Sequence, residues 1–177
     1  MIKQDRIEQY LKNKIGNVER YIAVKDLDKI GFFDAPASIK YHGAYNGGLF
    51  DHSFLTAKAL VELTEKLSLK WERPESPYIV GMYHDLCKCD NYVVDPETGK
   101  YIYNPDIIIP GHGDKSVMIL QKYITLTDEE IACIRWHMGA YETDTKLWNY
   151  YGKAIEKYPN VLFTHTADMM SSKILGV

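Results

Sequence analysis

The sequence predicts an all-α fold, a helical bundle with one small β-hairpin insertion. Most segments place apolar residues three or four positions apart, which is the spacing of one face of a helix. One stretch, NYVVDPETGKYIY, instead alternates on both sides of the turn sequence DPETG, and this pattern is typical of a hairpin. The chain contains no internal repeat of about 20 to 50 residues, which argues against a solenoid.

The 177 residues suit a single domain, 1–177. A hydrophobic content of 46% is enough to form a core, and the net charge of −3 gives no general basic surface for long nucleic acid. No apolar run approaches the ~18 residues that span a membrane, so we expect a cytoplasmic protein without a membrane partner. Three cysteines are too few for a disulfide framework, and we expect reduced packing thiols at Cys87, Cys89 and Cys133.

Two helices are expected before residue 40. The segment DRIEQYLKNKI places Ile7, Leu11 and Ile15 four apart on one face, and a second short helix is expected within 17–31. The segment FDAPASIKYHGAYNGG then has the Pro, Gly and Asn content of a long connection.

A long helix is predicted next, over DHSFLTAKALVELTEKL. Its apolar stripe repeats every four residues, at Leu55, Ala59, Leu63 and Leu67. His52 lies within about 60° of this stripe around the helix axis, so its side chain is expected to face inward.

The following helices are predicted from their caps as well as their periodicity. In ESPYIVGMYHDLCK, Ser76 is a candidate N-cap and Pro77 takes the first helical position. The run after Pro77 is apolar all round and indicates a buried helix, although periodicity alone does not distinguish it from a strand. GDKSVMILQKY and TDEEIACIRWHMG predict two more helices, the second with a capping box at Thr127 and Glu130 and a stop at Gly139. The chain then finishes with helices over TKLWNYYGKAIEKY and NVLFTHTADMMSSKIL.

Residue types that bind metals recur once per predicted element, at its start, its end or its inner face. They are His52, the pair His84 and Asp85, His112, His137 and Asp168. A carboxylate has two oxygens and can bridge two cations, while neutral imidazoles fill the remaining positions. A single inward histidine is more often a packing residue than a ligand, and the joint pattern is what indicates a metal site.

The charges of such a site favour phosphate chemistry. Four neutral histidines and two aspartates carry about −2, and two divalent ions about +4, which leaves the site near +2. That surplus attracts a phosphate and lowers the pKa of a bound water towards neutrality. Lys88 lies one turn beyond His84 and Asp85, where its ammonium could neutralise a phosphoryl oxygen.

Other polar and aromatic residues have two interpretations each. Asp90, Asp95 and Glu97 suit the hairpin and its turn rather than catalysis. The roles of His42 and His165 stay open between ligand and packing residue. Three cations fit either a solvated surface or a phosphate contact: Lys115, Arg135 and Lys173. Three hairpin tyrosines fit either packing or stacking on a base: Tyr92, Tyr101 and Tyr103.

Five short segments, in order, resemble the successive motifs of the HD superfamily of metal-dependent phosphohydrolases. They are GGLFDHS, HDLCK, GHG, WHMG and THTADMMSSK, and the resemblance covers roughly residues 40 to 173. It is similar in particular to the HD domain of bacterial 3′→5′ exoribonucleases. The resemblance implies an HD-domain helical bundle with the metals at its centre, and the hairpin as a local insertion before GHG. It also implies an HD core over 40–177, preceded by a helical N-terminal extension over 1–40.

The same resemblance implies a role for each candidate site residue. His52, His84, Asp85 and Asp168 would hold a first metal, and His112 and His137 would complete a second site with Asp85 as the bridge. Lys88 would contact phosphate, so Asp85 and Lys88 are the candidate catalytic residues. The chain departs from many relatives at Trp136, where they have a second histidine. The exoribonucleases carry a nucleic-acid-binding domain before the motifs, whereas the roughly 40 residues before the motifs here are mostly helical in character.

We therefore expect a metal-dependent phosphohydrolase that acts on a phosphorylated small molecule, a nucleotide in the first place, through metal-activated water. The expected cofactor is a divalent transition metal, as two ions of Mn, Fe, Co, Ni or Zn, with Mg as a further candidate. A short oligonucleotide is an alternative substrate for a 3′→5′ exonuclease, and exposed aromatic residues are compatible with a homodimer. Two other functions stay open, a di-iron HD-type oxygenase and a metal-binding regulatory module without activity.

Overall fold

The computed structural model describes residues 3–142 and 144–176. Within these ranges the chain is mostly helical, with one two-stranded antiparallel sheet. The α-helices are α1 (Lys3–Lys14), α2 (Val24–Lys29), α3 (Gly48–Leu67), α4 (Ser76–Tyr83), α5 (Lys88–Asn91), α6 (Gly113–Leu120), α7 (Asp128–Arg135), α8 (Trp148–Lys157) and α9 (Asn160–Met169). The strands β1 (Tyr92–Val94) and β2 (Tyr101–Tyr103) lie between α5 and α6. The prediction of a mainly helical fold with one small hairpin is confirmed.

Short non-α helices complete the described chain. Three are 3₁₀ turns, over Val18–Arg20, Gly139–Tyr141 and Thr145–Leu147, and a π-helix over Met170–Ile174 continues α9. The predicted N-terminal helices are α1 and α2, and the inward face of α1 is buried as expected at Ile7, Leu11 and Ile15.

The core forms where α3 packs against α4 and α9, with α7 contacting both α4 and α9. The close approach of α3 and α4 depends on Gly81, because a Cβ at this position would collide with the backbone of Ala57. Burial of α4 is nearly complete, since Ile79, Val80 and Met82 have no exposed surface. The sequence could not distinguish a buried helix from a strand here, and the structure has the helix.

The inward face of α3 differs from the predicted stripe. Leu67 is 53% exposed, because the last turns of the helix extend beyond the core. The buried face lies in the first part of the helix, from Leu49 to Leu60, and includes Ala59 of the predicted stripe. The prediction that His52 faces inward is confirmed, and it has no exposed surface.

Two predicted helix boundaries are corrected. The N-cap of α4 is Glu75, with Ser76 first and Pro77 second in the helix. The Ser76 hydroxyl is used elsewhere, since it donates to Glu130 Oε1 at 2.8 Å. The capping box at the start of α7 is confirmed, but α7 ends at Arg135. Gly139, the predicted stop, begins the next 3₁₀ turn with a φ of 54°.

The hairpin is attached to the core at its base. Tyr92 pairs with Tyr103 in the register of the two strands. Lys115 of α6 is only 4% exposed and donates from Nζ to Asp90 Oδ1 at 2.5 Å and to Asn91 Oδ1 at 2.9 Å. Lys115 is therefore neither solvated nor free to contact a phosphate, and it fixes the end of α5 where β1 begins.

In the part of the chain that the structure describes, the helices are too short or too polar to cross a bilayer. The three cysteines are free thiols, as expected, and Cys87 and Cys133 are buried.

Candidate metal centre

Five of the predicted ligand residues meet at the centre of the helical bundle. They are His52 near the start of α3, His84 and Asp85 directly after α4, His137 after α7, and Asp168 in the last turn of α9. The three histidines have no exposed surface, and Asp85 has 2%. Such a group of buried polar side chains needs compensating partners, because an unpaired polar group in the core costs several kcal/mol. The cluster could bind a metal ion.

The start of α3 is built so that His52 can reach this centre. Gly47 caps the helix with a φ of 78°, a conformation that favours glycine. Gly48 lies against the carbonyl of Gly43, and a Cβ on Gly48 would collide with it. The segment GGLFDHS therefore brings the loop before α3 directly over the first turns of the helix.

The ligand atoms of four residues lie at similar distances from each other. His52 Nε2 is 3.3 Å from His84 Nε2, and both atoms are 3.4 Å from Asp85 Oδ2. Asp168 Oδ1 is 3.1 Å from His52 Nε2 and 3.9 Å from His84 Nε2. These four residues are the ones that the HD resemblance implies for a first metal.

Those distances fit the ligands of one metal ion. Two ligand atoms that are each about 2.1 Å from an ion lie about 3.0 Å apart at a right angle and about 3.4 Å apart at a tetrahedral angle. Four of the five separations, from 3.1 to 3.4 Å, fall in this interval, and the fifth corresponds to a wider angle. Imidazole nitrogen and carboxylate oxygen together suit a divalent transition metal.

Backbone hydrogen bonds turn two of the imidazoles towards the centre. The Nδ1 of His84 donates to the carbonyl of Gly81 at 2.9 Å, and the Nδ1 of His137 donates to the carbonyl of Ile134 at 2.7 Å. With the proton on Nδ1, each Nε2 presents a lone pair to the cluster. Such a bond from the second ring nitrogen to a carbonyl is a common feature of metal-binding histidines.

Two atoms of the cluster lack hydrogen bonds within the described residues. Asp85 Oδ1 and His137 Nε2 are buried and lie 3.4 Å apart, without the geometry of a hydrogen bond. A neutral imidazole with its proton on Nδ1 has only an acceptor at Nε2, and a carboxylate oxygen is also an acceptor. Burial opposes a proton on His137 Nε2, but Asp85 outweighs it and raises the pKa of that ring, so either this proton or a metal cation compensates the two facing acceptors.

Lys88 lies inside the cluster as well. Its Nζ is 2.6 Å from Asp85 Oδ2, and its side chain is 10% exposed. The sequence predicted a contact between Lys88 and phosphate, and in the structure the ammonium is paired with the carboxylate. The carboxylate oxygen has more than one lone pair, so this bond leaves Oδ2 able to face the imidazoles.

The electrostatics of the cluster favour charged carboxylates. Burial opposes protonation of His52, but Asp168 and Asp85 outweigh it and raise the pKa of His52 to about 9. Burial alone would raise the pKa of Asp85, but the Lys88 ammonium outweighs it and holds the pKa well below its usual range. Burial lowers the pKa of His84, which keeps that ring neutral.

His112 belongs to a different group of ligand atoms. Its Nδ1 is 3.5 Å from the thiol of Cys87, and these two residues and Asp85 form a group of mutually close ligand atoms. The resemblance implied that His112 joins His137 in a second site, but their ligand atoms do not fall in one such group. The sequence predicted a packing role for Cys87, and no spacing in it indicated this contact with His112.

The two histidines whose roles the sequence left undecided, His42 and His165, have different surroundings. His165 donates from Nδ1 to the carbonyl of His137 at 2.8 Å, so it supports the turn that carries a ligand. His42 stands over the cluster, with its ring centroid 4.9 Å from that of His52. The Nε2 of His42 is buried without a hydrogen bond among the described residues, and burial lowers the pKa of His42 to about 4.

A cavity of about 830 Å³ opens above the cluster. Asp85, Asp168 and Lys88 line it, so the candidate ligands are accessible to a small molecule. Of the three further cations that the sequence left open, Lys173 lines this cavity and Lys115 is bound at the hairpin base. The third, Arg135, is paired with Asp114 and Glu142.

Comparison of the chain with protein-family models, with curated proteins and with solved structures finds no match. The interpretation of the centre therefore depends on its own residues and on their distances.

Proposed function

We propose that this chain is an HD-type metal-dependent phosphohydrolase that acts on a nucleotide or a related phosphoester. The observation that carries the proposal is the set of separations between 3.1 and 3.4 Å that joins His52, His84, Asp85 and Asp168. These residues also occupy the positions that the HD motifs assign to a first metal, so the geometry and the motifs support the same ligands.

The metal would be held by His52, His84, Asp85 and Asp168. A divalent ion supplies a Lewis acid and lowers the pKa of a coordinated water, so that the nucleophile does not have to be a serine or cysteine of the protein. Asp85 is suited to bridge towards a second ion, because its Oδ2 faces His52 and His84 while its Oδ1 faces His137. His112 reaches Asp85 from the side of Cys87 and is the remaining candidate for that second ion.

Lys88 is the candidate contact for the phosphoryl group. It lines the cavity beside Asp85 and is nearly buried, which strengthens its interaction with an anion. Burial alone would lower the pKa of Lys88, but Asp85 outweighs it and raises the pKa above its ordinary value, so the side chain is charged. A fixed ammonium is suited to stabilise the charge that develops on a phosphoryl oxygen.

The cavity supports a small anionic substrate. It holds Lys40, Lys88 and Lys173 against the two carboxylates Asp85 and Asp168. Its volume of about 830 Å³ suits a ligand of nucleotide size. A small anionic molecule therefore fits better than a long nucleic acid, as the net charge of −3 also indicates.

The test is a screen for product release in the presence of Mn²⁺. Nucleoside mono-, di- and triphosphates, cyclic dinucleotides and short RNA are supplied, and the release of phosphate, pyrophosphate or nucleotide is measured. We expect at least one substrate to be hydrolysed, with activity lost on adding EDTA and reduced by about 100-fold or more in Lys88→Ala. Lys66→Ala is the matched control, because Lys66 is exposed and pairs only with Glu62 among the contacts described. Full activity in Lys88→Ala would remove the role of that side chain.

A further inference from the structure

The mouth of the cavity above the metal centre is rich in exposed tyrosines. Tyr41 is 72% exposed, Tyr103 is 70% and Tyr141 is 54%, and all three line the cavity together with Tyr92. Large aromatic side chains that stay exposed at one concave site are typical of ligand-binding surfaces. Four tyrosines at the entrance to one cavity therefore need a functional explanation.

Two of these tyrosines form a pair across the hairpin. Tyr92 and Tyr103 are opposite each other in the register of the two strands, with ring centroids 5.5 Å apart. Tyr92 is partly buried and its ring lies beside that of Tyr103, which is largely exposed. A ring that is supported on one side and open on the other can accept a planar group at small entropic cost.

The base of the hairpin is fixed relative to the metal centre. Asn104, directly after β2, donates from its backbone to the Asn91 carbonyl and from its side chain to the Asp90 carbonyl, each at 2.9 Å. Lys115, which lies in α6, donates hydrogen bonds to the side chains of Asp90 and Asn91. Because α5 begins at Lys88 and ends at Asn91, a single short helix connects the phosphate-contact candidate to the tyrosine pair.

Charge and aromatic surface are therefore combined in one cavity. Lys88 and the candidate metal ligands are at its inner end, and Tyr103 is at its exposed end. A complementary ligand has an anionic group at one end and a flat aromatic group at the other. A nucleoside phosphate has this arrangement, whereas a sugar phosphate lacks the aromatic group.

We propose that Tyr103, supported by Tyr92, is a stacking platform for the base of a nucleotide whose phosphate is directed to the metal centre. This inference depends on the proposed function for the identity of the phosphate site. It adds a binding subsite on the hairpin, a part of the chain outside the five motifs. Because stacking on an aromatic ring tolerates different bases, the platform selects for the presence of a base more than for its identity.

The experiment compares two ligands that share ribose and phosphate and differ in the base. The binding of AMP and of ribose 5-phosphate is measured by calorimetry in the presence of Mn²⁺, for the wild-type chain and for Tyr103→Ala. Tyr103→Phe keeps the ring and serves as the conservative variant. Tyr150→Ala is the control for an exposed tyrosine elsewhere, since Tyr150 is 59% exposed and lines a separate groove along α8.

We expect AMP to bind about 5- to 150-fold more tightly than ribose 5-phosphate, the range expected for one stacked base. Tyr103→Ala should remove most of this ratio, while Tyr103→Phe and Tyr150→Ala keep it. The affinity for ribose 5-phosphate should not change in Tyr103→Ala, and this shows that the hairpin and the phosphate site stay intact. Equal affinities for the two ligands in the wild type, or an unchanged ratio in Tyr103→Ala, would overturn the inference.

The same variants separate this inference from the proposed function. Hydrolysis of phosphoesters without any preference for a base would support the proposed function and contradict the platform. Binding that depends on the base and on Tyr103, in a protein that hydrolyses none of the screened phosphoesters, would support the platform and contradict the proposed function.

Discussion

At the scale of single residues, His52 shows most clearly how a proton and a metal ion compete for the same nitrogen. Its Nε2 is 3.1 Å from Asp168 Oδ1 and 3.4 Å from Asp85 Oδ2. Both carboxylates favour the protonated ring, and together they overcome the effect of burial. A metal ion requires the same nitrogen without its proton, so the ion and the proton are alternatives at this atom.

Metal affinity should therefore depend on pH. With a pKa of about 9, His52 is protonated at neutral pH in the metal-free protein and must lose that proton when an ion binds. We expect the apparent affinity for Mn²⁺ to rise about tenfold per pH unit between pH 6.5 and 8 and to level off above pH 9. Calorimetric titrations in two buffers of different ionisation enthalpy measure the released proton directly. An affinity that is constant over this range would contradict the role of His52.

The residue types of the site were predictable, but their pairings were not. Histidine and aspartate at the ends and inner faces of helices indicated His52, His84 and Asp85 from the sequence alone. The ion pair between Lys88 and Asp85 depends on the rotamers of both side chains, which no spacing determines. The contact of His112 with Cys87 was missed for the same reason, since it joins the start of α6 to the turn after α4.

At the scale of elements, the spacing of α3 and α4 sets the distance between the candidate ligands that they carry. Gly81 of α4 lies against the Ala57 backbone of α3, and no other residue fits there without moving one of the helices. We expect Gly81→Ala to lower the free energy of unfolding by about 1–3 kcal/mol, despite the higher helix propensity of alanine. The change is measured by urea unfolding of the metal-free protein.

Gly152 provides the matched control for this substitution. It lies inside α8, and a Cβ at this position would have no neighbour within 4 Å. Gly152→Ala should therefore raise the free energy of unfolding by about 0.5–1 kcal/mol, the difference in helix propensity alone. Equal effects of the two substitutions would show that α3 and α4 are not as closely packed as described.

A second element-scale prediction concerns the buried carboxylate that ties α7 to the connection before α4. Glu130 has no exposed surface and accepts two hydrogen bonds from Arg73, from Nε at 2.8 Å and from Nη2 at 2.6 Å. Removing one partner of such a pair leaves an uncompensated charge, so we expect Glu130→Ala to cost about 3–5 kcal/mol in urea unfolding. Glu62→Ala, which breaks the exposed pair with Lys66, should have a much smaller effect, because solvent screens that pair. Similar costs for both would contradict the buried network.

At the scale of the whole molecule, the sequence predicted the helices better than their arrangement. Amphipathic spacing identified α1, and turn chemistry identified the hairpin and the capping box of α7. The inward face of α3 was predicted too far towards its C-terminus, because the pattern does not show where the helix leaves the core. The meeting of His52 with Asp168 joins residues far apart in the chain, and it depends on the packing of α3 against α9. Local periodicity carries no information on such contacts, and the order of the motifs supplied the expectation instead.

The most direct test of the central claim is the metal content of the purified chain. The protein is prepared without chelator and dialysed first against Mn²⁺ and then against buffer. Its metal content is measured by inductively coupled plasma mass spectrometry, alongside Asp85→Ala, His84→Ala and the exposed control Asp106→Ala. We expect about one or more ions per chain in the wild type and in Asp106→Ala. Asp85→Ala and His84→Ala, with folding checked by circular dichroism, should retain about a tenth of this or less. A wild-type chain without bound metal, or unchanged metal content in both cluster variants, would contradict the assignment of a metal centre.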